Sequence, residues 1–278
     1  MAMTIKNQGE IERMRAAGHV VGEIHTRIAR AIEPGVTTAE LDRIAAVTLA
    51  EAGAVSSFLG YHGYPATICA SVNEEIVHGI PGPRRLAAGD IISVDVGAIL
   101  NGYHGDSAWT YGVGRISEEA QRLLRDTEAS LWLAVAAART GSRLGAIGNA
   151  VERFATARGY GIVRNYGGHG IGRQMHEEPH VPNHGAPDRG PMLRSGLTLA
   201  IEPMLTTGTD DTKELSDGWT VVTADGSLAA HFEHTVVVGP AGGAILTEAI
   251  TFIAFSNRAT WRGTLCGPAT DRTASVPP

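Results

Sequence analysis

The 278-residue chain has only two cysteines, Cys69 and Cys266, which supply no disulfide framework and suit a reducing compartment. Basic excess is also missing. A formal net charge of −6 leaves no electrostatic footprint for nucleic acid as the principal partner. The longest apolar run, Leu131 to Ala138, falls far short of the roughly 20 residues that span a bilayer. The opening MAMTIKNQGEIERMR puts charges where a secretory signal needs its apolar stretch. These absences predict a cytoplasmic protein without membrane or nucleic-acid partners. What is present is an ordinary core composition, 43% hydrophobic, enough for one large α/β domain or two small ones.

Ile11, Met14, Ala17, Val21, Ile24, Ile28 and Ile32 recur at steps of three and four, predicting an amphipathic helix that Pro34-Gly35 ends. Thr37 to Glu40 reads as a capping box opening a second helix, which stops near Gly53. Ser117 caps a third that reaches Arg139, and a fourth runs from beyond Gly141 to Gly159. Gly35 to Gly141 and Gly53 to Gly159 are both 106 residues apart (141 − 35 and 159 − 53). That spacing is either coincidence in a chain with 35 glycines or the mark of an internal duplication, which would place a site at the junction of two similar halves. Residues 249–278 end in a stretch rich in Thr, Pro and Gly without periodicity. They are expected to form a poorly ordered tail behind a body of residues 1–248.

The segment IISVDVGAILNGYHGDSAWTYG, from Ile91 to Gly112, is unusual for a strand pair because it carries aspartates in an apolar context. Asn101-Gly102 is a strong type I′ hairpin signal. Pairing about that turn makes partner numbers sum to 203 and sets Asp106 opposite Gly97. Asp95 then shares a sheet face with Asp106, a diagonal step of roughly 7–8 Å at the backbone, with Gly97 expected to leave open space between them. Two carboxylates there repel unless they share a proton or a cation. The alternative is a solvent-facing pair on an edge hairpin.

The second half adds further carboxylates and imidazoles. NYGGHGIGRQMHEEPHVPNHG places His169 among glycines expected to let backbone approach a ligand. LTLAIEPML holds Glu202 in a strand-like run ended by Pro203. DGWTVVTADGSLAAHFEHTVVVG reads as a hairpin about Asp225-Gly226, with Glu233 on its return strand. His78 lies in VNEEIVHGIPG. Four carboxylates on apolar strands call for cations. Two divalent ions about 3.5–4 Å apart, bridged by carboxylates, would resolve the repulsion. A set of four carboxylates and one imidazole favours manganese, iron or cobalt over a structural zinc.

With those motifs, and with SFLGYHGYPATICASVNEEIVHGIPG, the chain from Thr4 to Glu248 resembles type 1 methionine aminopeptidases of the bacterial short form. These belong to the pita-bread metallopeptidase superfamily. The resemblance implies an α/β (α+β) fold: a pseudo-two-fold antiparallel sheet with two helix pairs packed on its outer face. It implies a dinuclear site held by Asp95, Asp106, His169, Glu202 and Glu233, with Asp106 and Glu233 bridging. The metals would be cobalt, iron or manganese, with zinc or nickel accepted in vitro. A monovalent cation is allowed near Ala229, where some relatives carry a serine. His78 and His176 match the family's two non-ligand histidines. Tyr61, His62, Tyr64, Cys69 and Trp219 match its methionine pocket. Phe58 and Met175 depart from the pattern, standing where relatives often have a small or thiol residue and an aromatic.

The implied activity is co-translational removal of the N-terminal methionine when the second residue is small, by attack of a metal-activated hydroxide on the first peptide bond. Glu202 would carry the proton, His176 would bond the carbonyl oxygen and His78 the departing nitrogen. The implied substrates are nascent N-termini near the ribosome exit, and the implied state is a monomer. Two rivals share the scaffold. A prolidase or proline aminopeptidase usually carries an N-terminal domain, for which there is no room before Asp95. A non-catalytic binding module typically loses metal ligands, and all five are present here.

Overall fold

The computed structural model describes residues 3–248; the expected tail, 249–278, and the chain's own first two residues lie outside them. The first half opens with α1 (Gln8–Ala31) and α2 (Thr38–Glu51). Thr37 caps α2 through the expected reciprocal bonds with Glu40. Asn7 and Glu10 make the same capping box on α1, a signal the periodicity does not display. Strands β1 (Val55–Ser56), β2 (Cys69–Val72), β3 (Glu75–Val77), β4 (Ile91–Leu100) and β5 (Tyr103–Gly112) follow.

The second half repeats the order with α3 (Glu118–Ala137) and α4 (Gly145–Thr156), then β6 (Gly161–Ile162), β7 (Gly168–Gly170), β8 (Glu177–Val181), β9 (Thr198–Ile201) and β10 (Met204–Thr206). It ends with β11 (Thr212–Glu214), β12 (Val221–Thr223), β13 (Ala229–His231), β14 (His234–Val238) and β15 (Gly243–Ile245). Ser117 caps α3 by accepting from Ala120 N. Gly35, Gly53, Gly141 and Gly159 all adopt positive φ, between 64° and 99°, within three residues after the C-caps Ile32, Ala52, Ala138 and Ala157, so each turns the chain away from its helix in a conformation that a side chain resists.

All strands within the sheets pair antiparallel. The helix pair of the first half covers β4 and β5 through Val21, Ile24, Ile28, Leu41, Val94 and Val96. The pair of the second half buries Leu123, Leu131 and Val151 against Leu199, Ile201 and Phe232. Each such side chain contributes about 1.5–3 kcal/mol when fully buried. Among the described residues no helix is long and apolar enough to cross a membrane.

The register of the aspartate hairpin is the expected one. Asn101 and Gly102 have φ of 53° and 74°, Gly97 lies opposite Asp106, and Asp95 lies opposite Ala108. Gly97 does not leave open space, however. A Cβ there would lie 2.6 Å from Ser57 Cβ and 2.7 Å from Phe58 Cε1, so the glycine admits the segment after β1.

The second expected hairpin forms only its turn. Beyond Asp225-Gly226 the arms part, β12 pairing with β11 and β3 while β13 pairs with β10. The Asp225 carboxylate accepts from Thr209 N at 2.8 Å and Ser227 N at 3.0 Å, which ties the turn to another loop instead of to a ladder.

Candidate metal centre

Asp95 and Asp106 come from adjacent strands of one sheet, and three more acceptors arrive from the second half. Glu202 and Glu233 are not within strands. Each occupies a two-residue break, between β9 and β10 and between β13 and β14. Pro203 lacks the N–H that would continue a ladder, and Glu202 O instead accepts from Asn183 Nδ2 at 2.9 Å. Glu233 N donates to Ala108 O at 2.8 Å, and Ser107 Oγ donates to Glu233 O at 2.6 Å. Two residues on, in β14, Thr235 Oγ1 donates to Asp106 O and accepts from Asp106 N. Hydroxyls on β5 and β14 thus hold Glu233 against Asp106.

His169 sits on β7 between β8 and β9. Its neighbouring glycines serve strand packing instead of ligand approach: a Cβ at Gly168 would lie 2.2 Å from Ala200 O, and one at Gly170 2.3 Å from Glu178 O. The imidazole's Nδ1 bonds Gly170 O at 2.9 Å. A carbonyl only accepts, so Nδ1 carries the proton and Nε2 presents a lone pair. That nitrogen lies 3.8 Å from Asp106 Oδ2 and 3.8 Å from Glu202 Oε1. Donor atoms of Asp106, His169 and Glu233 all lie within 4.8 Å of one another.

Electrostatics disfavour the charged form of every carboxyl in the cluster unless positive charge is supplied. Burial raises the carboxyls of Asp95 to about 7 and Glu202 to about 8. Asp106 and Glu233 are also pushed far up, first by burial and then by repulsion from the other carboxylates. His169 is driven down to about 3 by desolvation and the neighbouring His176, so it brings no positive charge of its own. Asp95 Oδ1, Asp106 Oδ1 and Glu233 Oε1 are buried without a hydrogen-bond partner. Orphaned acceptors facing a neutral imidazole lone pair are the donor set of a hard divalent cation. The residues fit the group.

Beside this cluster lies an apolar one. Cys69 on β2 pairs directly with Asp95 and packs with Phe58, Tyr64, Ala66 and Met175, with Tyr61 and Trp219 at the edge. The two departures from the family pattern, Phe58 and Met175, are therefore walls of the same cluster. Burial and Asp95 push the Cys69 thiol up, so it is protonated and inert. His62 is not in the cluster. It lies exposed, edge-on to the Tyr61 ring at 4.4 Å.

His78 has φ of 60° and packs on Tyr166 and Trp219; desolvation lowers its pKa to about 4. His176 packs on His169 with ring centroids 4.2 Å apart. One functional candidate escaped sequence reasoning. His231 is buried, its Nε2 has no hydrogen-bond partner, and it lies 3.6 Å from Glu202 Oε2. Its place two residues before Glu233 in HFEH was the available signal.

A protein-family comparison matches residues 12–240 to metallopeptidase family M24, and the chain belongs to that family. The methionine aminopeptidase of Clostridium acetobutylicum is 54% identical over 244 residues, 87% of this chain and 98% of that one. Methionine aminopeptidase 1 of Bacillus subtilis is 49% identical over 243 residues, again 87% and 98%. The crystal structure of methionine aminopeptidase from Thermotoga maritima superposes with a TM-score of 0.88 at 41% identity, covering 89% of this chain and all of that one. Within the M24 metallopeptidases the chain falls among the methionine aminopeptidases, with the pita-bread fold of that family.

Proposed function

We propose that this methionine aminopeptidase acts on nascent chains in the cytoplasm and removes methionine when the second residue is small. The observation that carries the reading is the ring of orphaned acceptors opening directly beside the apolar cluster, with Cys69 paired to Asp95 at their border. Asp95, Asp106, His169, Glu202 and Glu233 would hold two divalent ions, with Asp106 and Glu233 shared between them. When bound, those ions supply Lewis acidity to the scissile carbonyl and to the attacking water.

The chain's own groups do the rest. A Glu202 carboxylate oxygen takes the proton of the attacking water and returns it to the leaving amine. His176 Nε2 donates to the carbonyl oxygen, and His78 bonds the departing nitrogen. Phe58, Tyr61, Tyr64, Cys69, Met175 and Trp219 enclose the thioether, which packs well on aromatic edges. His62 borders this pocket through Tyr61.

His176→Ala is expected to keep its metal and to slow turnover by about 10²–10³, the cost of removing one transition-state donor. Metal analysis beside steady-state rates checks this. Loss of metal from the variant would make His176 a ligand instead.

The residue after methionine is expected to sit between the half-buried His78 and the more exposed His176, with the buried carboxylates beneath it, and these side chains are expected to limit its size. Overpacking such a site costs about 1–3 kcal/mol. Met-Ala peptides should therefore turn over at least about fivefold faster than Met-Leu peptides at equal concentration. By the same rule Met1 is removed ahead of Ala2, which intact mass would read. Equal rates for Met-Leu and Met-Ala would remove the steric gate while leaving the peptidase assignment standing.

A further inference from the structure

We infer that Tyr61 is a positioning residue for His176: its hydroxyl donates to Nδ1 and so fixes the tautomer whose Nε2 carries the proton. The inference rests on the reading above, in which Nε2–H meets the scissile carbonyl. The two side chains belong to segments 115 residues apart, yet Tyr61 Oη and His176 Nδ1 are 2.8 Å apart, with ring centroids at 5.4 Å. A neutral imidazole has one donor and one acceptor nitrogen, and the partner of one decides the other. Were Nδ1–H to donate to the phenol instead, Nε2 would face the carbonyl oxygen with a lone pair, and no donor would be left.

Each partner is held in place independently of the other. Tyr61 N donates to Phe58 O at 2.8 Å and Tyr64 N donates back to Tyr61 O at 2.9 Å. The loop turns through positive φ at Gly60, His62 and Gly63, which fixes the backbone path that carries Tyr61. On the other side, Glu177 directly follows His176. Its carboxylate accepts from Arg173 N at 2.9 Å, Gln174 N at 3.3 Å and Lys6 Nζ at 2.6 Å, and also from the Thr4 hydroxyl. That clamp closes the loop before β8 and fastens it to the N-terminal segment. A hydrogen bond between side chains whose backbones are independently held needs less further ordering, which favours a donor that serves a transition state. Tyr61 therefore does more than wall the methionine pocket.

The test uses full-length protein loaded with diamagnetic zinc and labelled with ¹⁵N-histidine. In the wild type, His176 is expected to show an unprotonated Nδ1 and a protonated Nε2, and Tyr61→Phe should mix the two tautomers. In parallel, Tyr61→Phe should lower kcat on a Met-Ala-Ser peptide about tenfold with KM changed less than twofold. In the His176→Ala background the same substitution should cost nothing further. A proton on Nδ1 in the wild type, or losses that multiply in the double variant, would overturn the proposal. If His176→Ala alone leaves kcat unchanged, the role given to His176 in catalysis fails, and the nitrogen shifts still decide whether Tyr61 sets its tautomer.

Discussion

Asp106→Asn is expected to abolish turnover and metal binding while leaving the fold intact, and in the presence of chelator to raise the melting temperature above that of the wild type. Asp106 is 3% exposed, and its carboxyl is pushed far above the ordinary range by burial, then by Asp95 and Glu202. Asn is the neutral isostere of the protonated acid. Its main-chain bonds to Thr235 are untouched by the change, so strand β5 keeps its tie to β14. The substitution removes a carboxylate oxygen that two ions would share, and in the metal-free state it removes a group that must take up a proton to be buried. Opposite signs are thus expected in the two conditions: lower stability than wild type with metal, higher without. Metal content, peptidase rate and thermal melts at pH 8 with and without chelator read all three quantities. Full metal occupancy with normal turnover would sink the dinuclear reading.

Metal removal is expected to make stability fall between about pH 6.5 and 8, the range in which Asp95 and Glu202 ionise in the metal-free fold, a slope the loaded protein lacks. The sign follows from linkage. Asp95 and Glu202 have folded pKa values of about 7 and about 8, above ordinary values of 3.8 and 4.5. Groups raised on folding contribute stability that is fully present below the unfolded values and lost as pH rises through the folded ones. Each costs the metal-free fold about 1.4 kcal/mol for every pH unit spent between its two pKa values. Asp106 and Glu233 act in the same direction.

Below pH 6.5 the buried histidines oppose this. His25, His78 and His104 are held neutral at about 4, and His169, His231 and His234 at about 3, by desolvation; these six imidazoles outnumber the site's four raised carboxyls, so acid destabilises the metal-free fold on balance. The metal-free protein is therefore expected to be most stable near pH 6, and the gap in melting temperature between loaded and chelated protein should widen as pH rises. Parallel pH profiles with and without chelator would mean that the carboxylates are not the metal's seat.

Much of the site was legible because part of it is local. Asn101-Gly102 demands positive φ at two successive residues, and a ladder with a side-chain period of two carries that register along both strands. Asp95 and Asp106 on one face follow from the turn alone, as does the capping box from Thr37 to Glu40 from its own four residues. His169 and Glu202 stood out as polar groups in apolar or glycine-rich runs.

The rest could not be read, because nothing in a local pattern states which distant segment will fill a given space. Gly97 looked like a gap until Ser57 and Phe58 occupied it. Glu233 looked like part of a hairpin, but its seat is set by hydroxyls of Ser107 and Thr235 reaching across more than a hundred residues. His231 comes to Glu202, and Tyr61 to His176, through the same kind of packing. By itself, the sequence determined which residues carry the charge and how the first two face each other, since turn geometry and strand parity act over a few bonds. Which partners complete the ring, and which atom of each imidazole is left free, was decided only when the two halves buried their apolar faces against each other and every remaining donor had to find an acceptor.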